Sequence, residues 1–105
     1  LQTAPKNCWP SALIAGNDLS AIGAIQAAQE MGLRVPEDLS VIGFDDIDLL
    51  RYFEPKVTTV QNPIKEQGRQ AVIELLQLID GVKEGENHIL PGELVIRETV
   101  ENYEE

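Results

Sequence analysis

Several residue types are scarce in this sequence, and each scarcity excludes a class of protein. The single cysteine, Cys8, excludes an internal disulfide framework. Only 8 Lys and Arg stand against 18 Asp and Glu, which gives a net charge of −10. Because phosphate binding needs clustered cations, this segment is not expected to bind nucleic acid itself. No apolar run reaches the ~18 residues of a transmembrane helix, so we expect no membrane contact.

The start of the chain lacks an initiator Met, and it lacks the basic and apolar segments of a signal peptide. We therefore expect a fragment of a longer protein. A cytoplasmic location is expected, and the single cysteine fits a reducing compartment. The 105 residues amount to one domain or less. A hydrophobic fraction of 43% suffices for an ordinary core.

Short apolar runs alternate with segments of helical periodicity along the chain. We predict strands over 11–15, 39–44 and 57–60, helices over 18–31 and 63–80, one or two helical turns over 47–53, and broken strand material over 89–97. Residues 1–10 are expected to be irregular, 82–88 a polar loop and 101–105 a frayed tail. The first strand is expected to be buried. This alternation predicts an α/β fold in which helices flank a parallel sheet.

Both long helices have end signals and an apolar face. Asn17 or Asp18 can cap the first helix, and Gly32 suits the left-handed position after its end. Asn62 as cap and Pro63 at the first helical position open the second. The apolar faces are predicted as Leu19, Ile22, Ile25, Ala28 and Met31 in the first helix, and Ile64, Ala71, Val72, Leu75, Leu76 and Ile79 in the second.

Polar residues follow three of the predicted strands. Asn17, Asp45 and Asn62 each stand at or just beyond a strand end. Parallel strands place their carboxyl ends on one edge of the sheet, where open α/β sheets bind ligands. A carboxylate with two amides offers hydrogen-bond acceptors and paired donors, but no His, Cys or Lys accompanies them as base or nucleophile. The set therefore suits holding hydroxyls or ring nitrogens, and we expect neither catalysis nor a cofactor.

Simpler roles compete for the same residues. Asn17 and Asn62 can act as helix caps alone, and Asp45 and Asp46 can cap the helical turn that follows them. Asp45, Asp46 and Asp48 could hold Mg²⁺, although no ligand spacing demands it and no metal is expected. Two carboxylates at a strand end are also reminiscent of a flavodoxin-like enzyme or phosphoacceptor domain. That alternative lacks a Gly-rich phosphate loop and a Lys after a later strand.

A series of motifs in fixed order resembles the LacI/GalR family of bacterial transcription regulators. The motifs are AGNDLSAIGA, GLRVPEDLSVIGFDD, a PxxTTV segment with Pro three residues later, and ELVIRE close to the end. Together the matching stretches cover about three-quarters of the chain. The resemblance implies part of a type I periplasmic-binding-protein-like, two-lobed fold. It assigns 1–61 to the carboxy-terminal lobe, 62–82 to a hinge crossing and a helix of the amino-terminal lobe, and 83–105 to a return and tail.

The resemblance also implies a function and its residues. Asn17, Asp45 and Asn62 match positions that line the effector pocket, and Ile64 matches an apolar position at the pocket edge. Leu49, Tyr52 and Phe53 are candidates for a homodimer interface. A small sugar-like effector is expected as ligand, with DNA contacted only by a head domain outside this chain. A transport-linked, periplasmic sugar-binding protein of the same fold is the alternative.

Overall fold

The computed structural model describes residues 8–81, 85 and 87–103. The predicted irregular start, polar loop and tail therefore fall partly outside the described residues. The elements are β1 (Ala12–Ile14), α1 (Asp18–Glu30), β2 (Ser40–Asp45), a 3₁₀ helix (Asp48–Tyr52), β3 (Thr58–Gln61), α2 (Ile64–Ile79) and β4 (Glu93–Val95). Each corresponds to a predicted element, with ends that differ by a few residues at most, except that β4 occupies only part of 89–97.

The four strands form one sheet in the order β1-β2-β3-β4. β1 pairs with β2, and β2 with β3, in parallel, with Ile14 opposite Ile42 and Asp45 opposite Gln61. The prediction of a parallel sheet is confirmed for these strands. β4 runs antiparallel to β3, with Leu94 opposite Val60. The sequence pattern predicts the strand but carries no signal for its direction.

α1 begins and ends as its sequence indicates. Asn17 is the cap residue, and its Oδ1 accepts a hydrogen bond from the backbone N–H of Ser20 at 2.8 Å. Gly32 follows the helix with φ of +82°, a backbone conformation that glycine adopts without a steric penalty. The cap of α2 differs from the prediction. α2 begins at Ile64 with Pro63 as cap residue and without a side-chain cap bond, because the Asn62 side chain bonds elsewhere.

The core lies where α1 packs on the sheet and on the segments that follow β2. Its buried apolar residues are Ala21, Ile25, Ala28, Leu39, Val41, Leu50 and Val57. The predicted face of α1 is correct at Ile25 and Ala28 but wrong at Leu19, which is 63% exposed. A three-residue step drifts around a helix of 3.6 residues per turn, so Leu19 lies off the face that Ala21 and Ile25 share.

Two apolar surfaces are exposed in the described residues. β1 lies at the sheet edge with all three residues exposed, so the prediction that it is buried is wrong. α2 has no buried residue, and Val72, Leu75 and Ile79 are each more than half exposed. The Cα radius of gyration is 18.5 Å, against about 13 Å for a compact domain of this length. α2 thus stands away from the core, and its apolar face is open to a partner.

Within the described part of the chain, no helix is both long enough and apolar enough to span a membrane.

Candidate functional site

Asp45 and Asn62 lie side by side at the carboxyl ends of neighbouring strands. Asp45 is the last residue of β2 and lies opposite Gln61, the last residue of β3. The Nδ2 amide of Asn62 donates a hydrogen bond to Oδ1 of Asp45 at 3.3 Å. Oδ1 of Asn62 in turn accepts a hydrogen bond from Nε2 of Gln67 in α2 at 2.8 Å. The parallel register thus brings together two polar groups that stand 17 positions apart in sequence.

An open cavity of about 720 Å³ lies beside this pair. Its walls include Asp45, Asn62 and Ile64, three of the four residues predicted to contact an effector. The Ile64 side chain is half exposed and contributes apolar surface. Pro91 and Glu93 add a wall from the β4 segment. The volume falls in the range of small-molecule sites, and an apolar wall with a few convergent polar groups is their usual composition.

Asn17 lies at the same edge of the sheet but has a separate structural role. Its Oδ1 is occupied by the cap bond to Ser20, and Asn17 is absent from the lining of the 720 Å³ cavity. Because β1 runs parallel to β2, the segment after β1 emerges at the edge where Asp45 stands. The cap explains the position of Asn17, and an effector contact through its Nδ2 stays a prediction.

Asp18 is a buried carboxylate that fixes the geometry of this edge. It is fully buried. Its Oδ2 accepts a hydrogen bond from the backbone N–H of Ile47 at 2.7 Å, and its Oδ1 accepts one from Oγ1 of Thr59 at 2.6 Å. A Cβ at Gly43 would collide with Oδ1 of Asp18, so only glycine leaves room for this carboxylate. The start of α1, the turn after β2 and strand β3 are thereby joined.

Sequence reasoning treated Asp18 only as an alternative helix cap. The available signal was an acidic residue beside Asn17 together with a glycine inside a predicted core strand, which marks a close approach of other atoms. The two partners of Asp18 lie 29 and 41 positions away, so they were visible only in the folded chain.

Asp46 is held differently from Asp45. Its Oδ1 accepts a hydrogen bond from Nη2 of Arg97 at 2.9 Å, and its Oδ2 accepts one from Nε2 of Gln61 at 3.2 Å. The 3₁₀ helix has Ile47 as its cap residue and no side-chain cap bond. The alternative in which Asp45 and Asp46 cap this helix is therefore wrong. Arg97 was not among the predicted site residues.

The three residues predicted for a dimer interface differ in exposure. Leu49 is 49% exposed and Tyr52 is 84% exposed, while Phe53 is partly buried against the core. Leu50 between them is buried and anchors the 3₁₀ helix. Two of the three side chains are thus accessible on one short element. In the described ranges 8–81, 85 and 87–103, no group of three or more His, Cys, Asp or Glu is arranged to hold a metal ion.

Comparison with known proteins relates this architecture to a family. Residues 1–100 match the periplasmic binding protein-like domain family. The chain is 44% identical over 97 residues to the HTH-type transcriptional repressor PurR of Haemophilus influenzae (strain PittEE), an alignment that covers 89% of this chain and 29% of that protein. The lac repressor dimer bound to operator and the anti-inducer ONPF aligns with a TM-score of 0.82 and 38% identity, over 90% of this chain and 33% of that one. The transcriptional regulator CelR in complex with cellobiose aligns with a TM-score of 0.81 and 33% identity, over 86% and 28% of the two chains.

The chain belongs to the periplasmic binding protein-like domain family. The curated relatives that it matches are HTH-type transcriptional repressors, and the lac repressor is among its structural neighbours. The resemblance seen in the sequence is thereby confirmed. The chain spans less than a third of the curated relatives it matches.

Proposed function

We propose that this chain is part of the effector-binding and dimerisation core of a cytoplasmic, DNA-binding transcription regulator. The names of the relatives support this reading, since they are HTH-type repressors and a repressor dimer bound to operator. DNA would be contacted by a head domain outside these residues, because a net charge of −10 does not suit phosphate binding.

The observation that carries the proposal is the hydrogen-bonded pair of Asp45 and Asn62 at the wall of the 720 Å³ cavity. A carboxylate accepts hydrogen bonds from hydroxyls, and an amide both donates and accepts them. This pair suits a small polar metabolite such as a sugar, with Ile64 providing an apolar contact. The neighbour CelR is in complex with cellobiose, a sugar of this chemical class.

The proposed division into lobes fits the distribution of exposed apolar surface. We assign residues 1–61 and 83–105 to one lobe, and 62–82 to a hinge and a helix of the other. α2 buries none of its residues here, although Leu75, Leu76 and Ile79 form apolar surface along it. A helix that packs into a second lobe would cover such a surface.

The proposed dimer interface uses the 3₁₀ helix and the exposed side of α1. Leu49 and Tyr52 present large side chains to solvent, and Phe53 supports them from the core side. Aromatic side chains such as those of Tyr52 and Phe53 are enriched at interfaces. The proposed mechanism is a population shift, in which an effector between the lobes favours one closure angle. The effector shifts this equilibrium only by the difference in its affinity for the two states.

A transport-linked sugar-binding protein is the second candidate, because it shares the fold. The coding sequence upstream discriminates the two: a helix-turn-helix head supports the regulator, and a secretion signal supports transport. We propose no catalytic role. Labelling by acetyl phosphate in the presence of Mg²⁺ would instead support the phosphoacceptor alternative.

A thermal-shift screen of the full-length protein tests the proposed function. The panel contains cellobiose as a disaccharide, ribose as a monosaccharide, adenine as a nucleobase and glucose 6-phosphate as a phosphorylated sugar. We expect one class to raise the melting temperature in a concentration-dependent way, because a ligand that binds only the folded state stabilises it. At equal ligand concentration, the shift should be smaller in the Asp45→Asn variant. A shift that is equal in both proteins would contradict the assignment of the site.

A further inference from the structure

The turn after β2 has an unfavourable backbone conformation at two consecutive residues. Asp45 has φ of +111° and Asp46 has φ of +59°. Aspartate enters the left-handed region near φ of +60° more readily than most residues, as at Asp46, but φ at Asp45 lies outside that region, and such a conformation persists where surrounding contacts enforce it. Two adjacent carboxylates also repel each other. The described residues must therefore supply contacts that hold this turn.

Arg97, in the segment after β4, makes three hydrogen bonds, one to the turn and two to the residues at the start of β3. Its Nη2 donates to Oδ1 of Asp46 at 2.9 Å, and its Nη1 donates to the backbone oxygen of Val57 at 2.9 Å. Its backbone N–H donates to Oγ1 of Thr58 at 2.8 Å. The guanidinium is thus bonded both to the start of β3, through Val57, and to the turn after β2, through Asp46. The side chains of Arg97 and Asp46 are only 28% and 15% exposed, so solvent screens this ion pair weakly.

The two carboxylates consequently have different surroundings. Asp46 accepts from Arg97 on one oxygen and from Gln61 on the other. Asp45 accepts one bond from Asn62 on Oδ1, and it lines the cavity. The charge of Asp46 is balanced within the protein, whereas the second oxygen of Asp45 has no bonded partner among the described residues.

We propose that Arg97 is a positioning residue for the effector site, acting through Asp46 to hold the strained turn so that Asp45 faces the cavity. This inference rests on the proposed function, since it assigns Asp45 as the ligand contact. Lysine could not replace Arg97 fully, because one ammonium group does not reproduce the planar fork that reaches Asp46 through Nη2 and Val57 through Nη1.

Amide hydrogen exchange of the intact protein tests the inference without a ligand. The reporter is the N–H of Ile47, which bonds to buried Asp18 next to the turn. Arg97→Gln and Asp46→Asn should each speed its exchange about tenfold, and the double variant should be no faster than either alone. The matched control is Arg69→Gln, which removes a guanidinium group from an exposed ion pair with Glu66. It should leave the exchange rate of the Ile47 N–H unchanged.

The N–H of Ile25 in the core of α1 separates local positioning from general destabilisation. Its exchange should stay within twofold of the wild-type rate in every variant. An unchanged Ile47 rate in Arg97→Gln overturns the inference. An equal acceleration at Ile47 and Ile25 also overturns it, because Arg97 would then stabilise the fold as a whole.

A binding arm uses the same panel of cellobiose, ribose, adenine and glucose 6-phosphate. For a compound that binds the wild type, Arg97→Gln should weaken binding at least tenfold, Arg97→Lys should recover part of the loss, and Arg69→Gln should cause none. If no compound binds the wild type, the result counts against the proposed function for these four compounds, while the exchange rates still decide whether Arg97 positions the turn.

Discussion

The amide of Asn62 donates to the carboxylate of Asp45 across 3.3 Å, from the residue after one strand to the last residue of its neighbour. This contact exists because β2 and β3 are parallel and in register at Asp45 and Gln61. It places a charged acceptor and an amide together at the wall of one cavity.

The close approach of Gly43 and Asp18 predicts a costly glycine substitution. Gly43→Ala places a Cβ against Oδ1 of Asp18, which is held between Ile47 and Thr59 and cannot move freely. We expect a loss of about 1–3 kcal/mol, the usual cost of overpacking or of a disrupted buried hydrogen bond. Thermal denaturation of the intact protein measures it.

Gly23→Ala is the matched control, because a Cβ there meets nothing within 4 Å and Gly23 lies inside α1. We expect this change to raise stability by roughly 0.5–1 kcal/mol, as alanine favours helix. Equal melting temperatures for the Gly43→Ala variant and the wild type would contradict the role given to Asp18.

A substitution in the exposed 3₁₀ helix should weaken the proposed dimer. Tyr52→Glu introduces a charge at a side chain that is 84% exposed, so it should not disturb the core. If this element forms the interface, the dimer dissociation constant should rise about 100-fold, equivalent to ~2.7 kcal/mol. Sedimentation velocity over a concentration series measures it.

Tyr103→Glu serves as control, since Tyr103 is 74% exposed but lies near the end of the described chain. We expect it to leave the dimer intact. An unchanged dimer dissociation constant for Tyr52→Glu would contradict the assignment of Leu49, Tyr52 and Phe53 to the interface.

The contacts of Asp38, in the turn between α1 and β2, predict a lowered pKa for its carboxyl group. The side-chain hydrogen bonds from Arg34, at 3.1 and 3.2 Å, lower the pKa of Asp38, and the backbone N–H of Arg34 adds to the effect. A lowered folded-state pKa means that the stabilisation is present above the ordinary aspartate pKa of ~3.9 and is lost as pH falls through the folded value. Near neutral pH, the Asp38–Arg34 contact therefore makes its full contribution to the stability of the fold.

Arg34→Gln should move the pKa of Asp38 upward, toward its ordinary value, because the charged donor is removed. Carbon-detected NMR of the Asp38 carboxyl group measures the midpoint. The backbone bond from residue 34 stays in place in this variant, so part of the lowering should persist. An identical midpoint in both proteins would show that the Arg34 side chain does not lower the pKa of Asp38.

Sequence patterns were sufficient for the order of the elements, for both ends of α1 and for the meeting of Asp45 with Asn62. Asn17 and Gly32 act within a few residues of themselves, so their roles follow from helix-end chemistry alone. The pairing of Asp45 with Asn62 follows from parallel strand direction, which the alternation of strands and helices indicates.

The contacts beyond sequence reasoning depend on distant segments. In the sequence, Asp18 is indistinguishable from a helix cap, because its partners Ile47 and Thr59 lie far along the chain. From the sequence, Arg97 is likewise only a charged residue near a terminal strand, because its contact with Asp46 forms only in the folded chain. The exposure of β1 was also unpredictable, because an apolar strand sequence does not indicate whether another element covers it.

The most direct measurement is isothermal titration calorimetry of the full-length wild type and its Asp45→Asn variant with the compound that the thermal-shift screen identifies. The substituted amide side chain would keep an oxygen that accepts from Asn62, so the fold should persist while the charge is lost. We expect Asp45→Asn to weaken binding by one to two orders of magnitude, or ~1.4–2.8 kcal/mol. The control Asp80→Asn, at the exposed end of α2, should leave the affinity unchanged. Equal affinity for the wild type and Asp45→Asn would contradict the assignment of this edge as the effector site.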